Sequence, residues 1–146
     1  MAGVVYNPIT DELFFAERGQ GAYGPSGRLR VAARQHLSET IIASGMPYKD
    51  GGKRPEWQEK ITALSNNVGD IRTFGSAALD LAYVAAGRVD GYLEVGLGAW
   101  DLAAGIVLVR EAGGLVSDHS NRQRMMGEGA IVAGNETVHA ALLKSI

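Results

Sequence analysis

The amino-acid sequence predicts an α/β protein in which an N-terminal antiparallel hairpin is followed by a mixed sheet flanked by helices. Two observations support this fold class. Short β-type runs open the chain, and strand-like and helix-like segments alternate through the rest of it. The 146 residues are 46% hydrophobic and 21% charged, as in ordinary globular proteins. No repeat or linker divides them, so we expect residues 1–146 to form a single domain.

The first part of the chain reads as short strands joined by turns. Gly3–Tyr6 and Glu12–Glu17 are β-type runs, and the Asn-Pro-Ile-Thr-Asp segment between them is typical of a hairpin connection. The next segment, Arg18–Gly27, is rich in turn residues. Two further strand candidates follow, Leu29–Ala32 and Thr40–Ala43, the latter closed by Gly45 and Pro47.

The middle of the chain predicts one loop, one helix and one strand. Tyr48–Arg54 is polar and loop-like, and Pro55 suits the first turn of a helix, where its missing N–H costs nothing. Ile61, Leu64 and Val68 continue this helix at helical spacing, and Ile71–Phe74 reads as a strand.

From residue 76 onward, helices and strands alternate clearly. The strongest helix predictions are Ser76–Ala86, stopped by Gly87, and Asp101–Ala112, stopped by two glycines. The remaining predictions are strands at Gly91–Val95, Leu115–Ser117 and Ala130–Ala133, a polar segment at His119–Glu128, and a last helix capped by Asn135 that runs to Ile146.

Composition and charge exclude several classes of function. A net charge of −2 offers no electrostatic footprint for nucleic acid or an anionic membrane, and Arg28, Arg30 and Arg34 read as a solvated edge. The absence of cysteine excludes disulfides and thiolate chemistry and is compatible with a reducing cytoplasm. The longest apolar stretch is far shorter than the ~20 residues that span a bilayer, and the N-terminus does not read as a signal peptide.

The segment Gly19-Gln20-Gly21-Ala22-Tyr23-Gly24 spells G-x-G-x-x-G. A dinucleotide fingerprint needs a helix to open within this motif, but Pro25-Ser26-Gly27 follows it and cannot begin one. We therefore interpret the motif as a glycine-rich turn. The three histidines, His36, His119 and His139, are widely spaced, which argues against a histidine metal site, and His139 is expected at the surface or half-buried.

Three places in the sequence can supply binding groups. Gly75-Ser76-Ala77 lies where a strand meets a helix, and free N–H groups there could bind an anion or hydroxyl, although the residues alone favour an ordinary glycine turn with a serine cap. Asp101 stands at a helix start, where it could act as a cap, as a Mg²⁺ ligand, or as both. Glu94, at the end of a strand, could face the same pocket or be a solvated strand-end carboxylate.

A family resemblance is carried by Trp100-Asp101-Leu102-Ala103-Ala104-Gly105 and by Glu111-Ala112-Gly113-Gly114. Together they resemble the second signature of the inositol monophosphatase family, W-D-x-A-x-G followed by E-A-G-G. The resemblance extends over essentially the whole chain, through the segment from Ile71 to Glu94, the opening hairpin with Glu17-Arg18-Gly19-Gln20-Gly21-Ala22, and Ala133-Gly134-Asn135.

The resemblance implies a specific fold and activity. The fold would be part of a layered α-β-α-β-α sandwich, of which this chain is the C-terminal portion. The activity would be Mg²⁺-dependent hydrolysis of inositol-1-phosphate or a similar sugar or polyol phosphate, in a cytoplasmic homodimer. Asp101 would bind Mg²⁺, and the substrate pocket would be lined by Gly75, Ser76, Ala77 and Glu94.

The chain also departs from the family pattern, because the first signature, D-P-x-D-G-T, and the upstream metal-binding glutamate are absent from its 146 residues. We therefore expect that upstream sequence is missing and that the isolated chain is inactive, with no catalytic residue beyond the metal ligand. One alternative is a non-catalytic module that associates through its open hairpin. Another is a related phosphatase acting on a nucleotide bisphosphate or on histidinol phosphate.

Overall fold

Two sheets and five α-helices make up the computed structural model, which describes residues 1–47 and 54–146. The strands, in chain order, are β1 Ala2–Asn7, β2 Glu12–Glu17, β3 Gly21–Gly24, β4 Gly27–Arg28, β5 Ile41–Ser44, β6 Asp70–Arg72, β7 Gly91–Val95, β8 Leu115–Ser117 and β9 Ala130–Gly134. The helices are α1 Arg54–Ser65, α2 Ala77–Ala85, α3 Ala99–Glu111, α4 Met125–Glu128 and α5 Glu136–Lys144.

The predicted N-terminal hairpin is confirmed and belongs to a larger sheet. β1 and β2 pair antiparallel from Ala2↔Glu17 to Asn7↔Glu12, and β3 and β4 continue this sheet, here called sheet A, in the order β1-β2-β3-β4. Alternate residues of β1 and β2, among them Val5 and Phe14, are buried on the inner face of the sheet, as period-2 side chains require.

Leu29–Ala32 is not a strand, and that prediction was wrong. The pairing falls earlier, in the segment interpreted as turns, where β3 and β4 form a tight second hairpin. Leu29 donates its N–H to the carbonyl of Ala22 at 2.7 Å, and Val31 donates to Ala112 at 3.2 Å. The segment is therefore an extended link fastened at two points to different elements, which a run of apolar residues cannot distinguish from a ladder strand.

The second sheet, sheet B, has the order β6-β5-β7-β9-β8 and confirms the predicted mixed sheet. β5 pairs parallel with β6 and β7, whereas β9 pairs antiparallel with β7 and β8. The predicted strand Ile71–Phe74 is displaced, since β6 covers Asp70–Arg72 and leaves Phe74 49% exposed. Parallel alignment of β5 with β7 brings the carboxyl ends of these two strands to the same edge, where ligands gather in α/β sheets.

The helices agree with the sequence predictions apart from their ends. α2 begins after Ser76, whose hydroxyl accepts the N–H of Leu79 at 3.5 Å, and α3 begins two residues before Asp101. Part of the predicted loop Tyr48–Arg54, residues 48–53, lies outside the described residues. The polar segment His119–Glu128 contains one short helix, α4, which its low hydrophobicity did not indicate.

Helices and sheets alternate in layers. α2 and α3 lie between the inner face of sheet A and one face of sheet B, in a core that includes Phe14, Leu81, Tyr92 and Leu102. α1 and α5 cover the other face of sheet B around Trp57 and further apolar residues. The described residues thus form four layers, β-α-β-α, as expected for part of the α-β-α-β-α sandwich that the resemblance implies. No helix among them is long and apolar enough to cross a membrane.

Candidate active site

Asp101 lies in the first turn of α3, at the third helical position rather than at the cap itself. Its Oδ2 accepts the N–H of Gly98 at 2.8 Å, while its own N–H donates to the Gly98 carbonyl at 3.1 Å. The carboxylate thus satisfies an N–H that the helix cannot and complements the positive end of the helix dipole. Within residues 1–47 and 54–146, its other oxygen accepts no hydrogen bond, so the side chain can act as a cap and a ligand together.

Glu94 stands near the end of β7 and faces the same layer of helices as Tyr92. The Tyr92 hydroxyl donates to Oε2 of Glu94 at 2.7 Å. Burial raises the pKa of Glu94, the bond from Tyr92 lowers it in part, and the charge of Asp101 raises it further. The structure therefore brings Glu94 and Asp101 close enough for their charges to interact, although they lie on different elements.

The backbone of Gly45, just after β5, lies against the Glu94 carboxylate. A Cβ on Gly45 would lie 2.4 Å from one oxygen of the Glu94 carboxylate, so a larger residue here would require that carboxylate to move. The Gly45 carbonyl accepts the indole N–H of Trp57 at 2.8 Å, and this bond fixes the Gly45 backbone to α1. The Glu94 carboxylate is therefore held between a tyrosine hydroxyl and the backbone of a neighbouring strand end.

Asp80 is a third carboxylate of this region, and sequence reasoning missed it. It lies in α2, one turn after the capping serine, with 1% of its surface exposed, and its Oδ1 has no hydrogen-bond partner among the residues that the structure describes. Burial, with a further contribution from Glu94, raises its pKa to about 7. A charged residue on the inward side of an otherwise apolar helix was the signal that could have found it.

Gly75, Ser76 and Ala77 lead into α2 near this cluster. Gly75 has a φ of +85° and faces open space, Ser76 caps the helix, and Ala77 is buried. The serine-cap interpretation is thus confirmed, and the binding role of these three residues stays a prediction. Cavities of about 830 Å³ along β1, about 500 Å³ on the outer side of α1 and about 440 Å³ beside Trp57 and His119 lie elsewhere.

The glycine-rich motif is tied to α3 by a carboxylate of the same chain. The N–H groups of Gly19 and Gly21 donate to the two carboxylate oxygens of Glu111, each at 2.9 Å. The Glu111 carboxylate therefore already accepts the two N–H groups that a phosphate would need as donors. These two bonds, called here the Glu111 clamp, hold the pKa of Glu111 below its usual range. The clamp is therefore present at neutral pH and is lost as the pH falls through that pKa.

Removal of this clamp gives a first testable prediction. In Glu111→Ala, the Gly19 and Gly21 amides should exchange their hydrogens faster at pH 7, because their acceptor is gone. Hydrogen exchange measured residue by residue by NMR checks this. In the unaltered chain, the same two amides should lose their protection against hydrogen exchange selectively as the pH is lowered. If Glu111→Ala leaves the exchange rates of these amides unchanged, the clamp is contradicted.

The histidines do not assemble a site among the described residues. His139 is buried, with 5% of its surface exposed, so the expectation of a surface or half-buried position was wrong; its Nε2 lies 2.9 Å from the Ser117 hydroxyl. His119 stacks on Trp57, with ring centroids 5.4 Å apart. In the part of the chain that the structure describes, no three His, Asp or Glu side chains converge as a metal-binding group.

Comparison with known proteins decides the family. The family model described as inositol monophosphatase family matches residues 1–146. The chain belongs to the inositol monophosphatase family. It is 51% identical over 146 residues to the inositol-1-monophosphatase of Mesorhizobium japonicum and 50% identical over 143 residues to Nus factor SuhB of Escherichia coli K12. These alignments cover 100% and 98% of this chain but only 55% and 54% of the two relatives.

Solved structures of the family share the fold. The crystal structure of extragenic suppressor protein SuhB from Bartonella henselae matches with a TM-score of 0.95 at 48% identity, over 99% of this chain and 55% of that one. Inositol monophosphatase from Anabaena sp. PCC 7120 matches with a TM-score of 0.91 at 36% identity, over 99% and 60%. The chain therefore spans about half the length of the relatives it matches.

Within the family's second signature, the structure shows what the individual residues do. Gly105 lets α3 approach α2, since a Cβ there would lie 2.5 Å from the Leu81 side chain. Glu111, the acidic residue of E-A-G-G, clamps the turn before β3. The signature thus fixes α3 to both of its neighbours and so sets the position of Asp101 at its first turn.

Proposed function

We propose that this chain is the C-terminal part of a Mg²⁺-dependent phosphomonoesterase that hydrolyses inositol-1-phosphate or a similar small polyol phosphate. The observation that carries the proposal is the convergence of Asp101, Glu94 and Tyr92 at one end of sheet B, within a chain of this family. The parent enzyme is proposed to be cytoplasmic and homodimeric, as the family resemblance implies.

The residues present suit a divalent cation but supply only part of its coordination. Mg²⁺ prefers carboxylate oxygens and water, and Asp101 offers one free carboxylate oxygen. Burial raises the pKa values of Asp80 and Glu94. The charge of Glu94 adds to this at Asp80, the charge of Asp101 adds to it at Glu94, and a nearby cation would relieve this repulsion. A single ligand does not make a complete site, so the isolated 146-residue chain is expected to turn over little or no substrate.

The chain's own side chains have separate roles in the proposed reaction. Asp101 holds the cation, which when bound polarises the phosphoryl oxygens and acidifies a water. Glu94 accepts hydrogen bonds from hydroxyls of the polyol, and Tyr92 fixes the orientation of that carboxylate. Gly75, Ser76 and Ala77 border the substrate on the side of α2. A carboxylate acceptor favours a polyol over an anionic group at this position, because like charges repel.

The test uses a complete protein. This chain is joined to the part of the Mesorhizobium japonicum relative that it does not match, and phosphate release from inositol-1-phosphate is measured with and without Mg²⁺. The chimera should be active, and Asp101→Asn should reduce kcat/KM by more than about 100-fold, since even residues that only support metal ligands cost 10–100-fold.

A chimera carrying Arg30→Gln serves as the matched control, because Arg30 is exposed and bonds only to the adjacent Leu29 carbonyl within the described residues. It should retain the parent rate. Robust Mg²⁺-dependent turnover by the 146-residue chain alone, or an Asp101→Asn chimera as active as its parent, would refute the assigned role.

A second candidate function is non-catalytic association. It is favoured by the 50% identity to a relative named Nus factor SuhB, which is close to the 51% identity to a relative named inositol-1-monophosphatase. A chimera that folds but releases no phosphate from inositol-1-phosphate, a nucleotide bisphosphate or histidinol phosphate would favour this candidate over the enzyme.

A further inference from the structure

A buried hydrogen bond joins His139 on α5 to Ser117 at the end of β8. Nε2 of His139 lies 2.9 Å from the Ser117 hydroxyl, and the exposed fractions of the two residues are 5% and 1%. The same hydroxyl donates to the Asp118 carbonyl at 2.9 Å. The bond therefore links the outer layer of helices to one side of sheet B. Neither residue has a role in the phosphatase function proposed above.

The two contacts of the Ser117 hydroxyl determine which ring nitrogen of His139 carries the proton. A hydroxyl has one hydrogen and a carbonyl can only accept, so the Ser117 hydrogen is used on Asp118. The bond between Ser117 and His139 therefore needs a hydrogen from Nε2. In the neutral ring Nδ1 is then without a proton, and an added proton must occupy that atom.

The Ser117 hydroxyl leads to a tight loop after β8, residues 118–122, here called the β8 loop. The Asp118 carbonyl also accepts the N–H of Asn121 at 3.0 Å, and the Asp118 N–H donates to the Arg122 carbonyl at 2.8 Å. One oxygen of the Asp118 carboxylate accepts the Arg122 N–H at 2.8 Å. Consecutive hydrogen bonds thus join α5, through Ser117, to the β8 loop.

A proton on Nδ1 of His139 would add a charge that no described group nearby compensates. Strands β8 and β9 contain no ionisable side chain, and Tyr92 and Glu94 of β7 face the opposite layer of helices. The other charged groups around α5 are exposed or already bonded: Glu136 and Lys144 on α5, Glu56 with Lys60 on α1, Arg34 with Asp90, and Asp118 with backbone N–H groups. Burial accordingly lowers the pKa of His139 from its ordinary value of 6.5.

This lowered pKa fixes the direction of the pH effect. Above pH 6.5 the ring of His139 is neutral whether the bond to Ser117 is closed or open, so the bond contributes its full stability. Below pH 6.5 a freed ring takes up a proton, whereas the buried ring does so only at a lower pH. Within that interval, each fall of one pH unit favours the open form by up to about tenfold.

We propose that the bond between His139 and Ser117 is an acid-sensitive latch, which holds α5 against β8 and the β8 loop at neutral pH and releases them when the imidazole is protonated. The step is the uptake of one proton from water at Nδ1, with no covalent bond made or broken. β8 lies at the edge of sheet B and pairs with β9 alone among the described strands. This side of the sheet therefore loosens while sheet A and the parallel strands β5, β6 and β7 stay paired.

NMR of the unaltered 146-residue chain tests the ring and the loop together. At about pH 7.5, the imidazole ¹⁵N shifts of His139 should show a proton on Nε2 and none on Nδ1, and the ring should titrate with a midpoint below 6.5. The hydrogen-exchange protection of the Asp118 and Asn121 amides, corrected for the intrinsic pH dependence of exchange, should fall at least about threefold between about pH 7.5 and about pH 5.

Two glutamine variants separate the latch from a general sensitivity to acid. His139→Gln cannot ionise and offers an amide N–H where Nε2 stands, so the protection of the Asp118 and Asn121 amides should stay constant over this pH range. His36→Gln is the matched control, because it removes a histidine whose side chain is exposed, and it should behave like the parent. Thermal denaturation at both pH values confirms that each variant is folded.

Three results would overturn the proposal. The neutral His139 ring could carry its proton on Nδ1, or the ring could titrate at or above pH 6.5. Alternatively, the parent and His139→Gln could lose protection in parallel, which would show that another group opens the β8 loop. The first such group to test is His119, which stacks on Trp57 and whose pKa burial also lowers.

Discussion

Replacement of Asp80 by asparagine is expected to raise the free energy of unfolding at pH 8 by up to about 4 kcal/mol and to leave it almost unchanged near pH 4. Burial holds the pKa of Asp80 at about 7 in the folded chain, against an ordinary value of 3.8. Below pH 3.8 the carboxyl is protonated in both states and adds nothing. Between these values only the unfolded chain releases the proton, so rising pH favours unfolding. Above pH 7 the full difference of about three pKa units, each worth about 1.4 kcal/mol, opposes folding.

Asparagine has nearly the same shape and does not ionise, so the variant should lose this slope. Urea denaturation of both proteins at several values between about pH 4 and pH 8 measures it. Asp118→Asn is the matched control at another buried aspartate. Although burial raises the pKa of Asp118, N–H donors from Arg122 and Ser120 hold it below its usual range. Its replacement should therefore destabilise the chain at neutral pH. A parallel pH dependence of Asp80→Asn and the parent would contradict the raised pKa.

Much of the fold could be predicted from the sequence where the signal is local. α2 and α3 have long apolar periodicity and clear ends at Gly87 and at two glycines, and both helices lie within two residues of their predicted bounds. β7 was predicted residue for residue because Gly91–Val95 is a short, bounded apolar run. Local propensity and tertiary packing favour the same structure in these segments.

The errors occur where tertiary contacts decide. β3 and β4 were hidden among turn residues, because their pairing depends on register with β2 rather than on β-branched side chains. The apolar run at Leu29–Ala32 is extended but bonds to Ala22 and Ala112 instead of to a strand ladder of its own. Such long-range backbone pairing produces no periodic pattern in the sequence.

The candidate site was predictable only in part for a related reason. Asp101 and Glu94 carry recognisable patterns, a helix start and a strand end. Asp80 was missed because its role depends on its burial. The same residue on the outer face of α2 would be an ordinary surface charge. Its burial against the Glu94 side of β7 becomes visible only once α2 is packed between the two sheets.

That packing depends on Gly105, and Gly105→Ala is expected to lower the free energy of unfolding by about 3 kcal/mol. An alanine Cβ would lie 2.5 Å from Cβ of the fully buried Leu81, a distance that neither backbone can accommodate without separating α2 from α3. The gain in helix propensity, up to about 1 kcal/mol, does not offset this overlap. Gly127→Ala is the matched control, because Gly127 is also helical, and a Cβ added there would have no described atom within 4 Å.

The control should be neutral or slightly more stable, and Gly105→Ala should melt roughly 6–12 °C lower than the parent in thermal denaturation. A second consequence follows from the close approach of Gly105 on α3 to Leu81, the residue that follows Asp80 on α2. If the two helices separate, water reaches Asp80, and its pKa should return toward the ordinary value. Loss of stability together with a weaker pH dependence would show that one close helix contact maintains both the core and the electrostatics of the site. Equal stability of the two glycine variants would contradict this account.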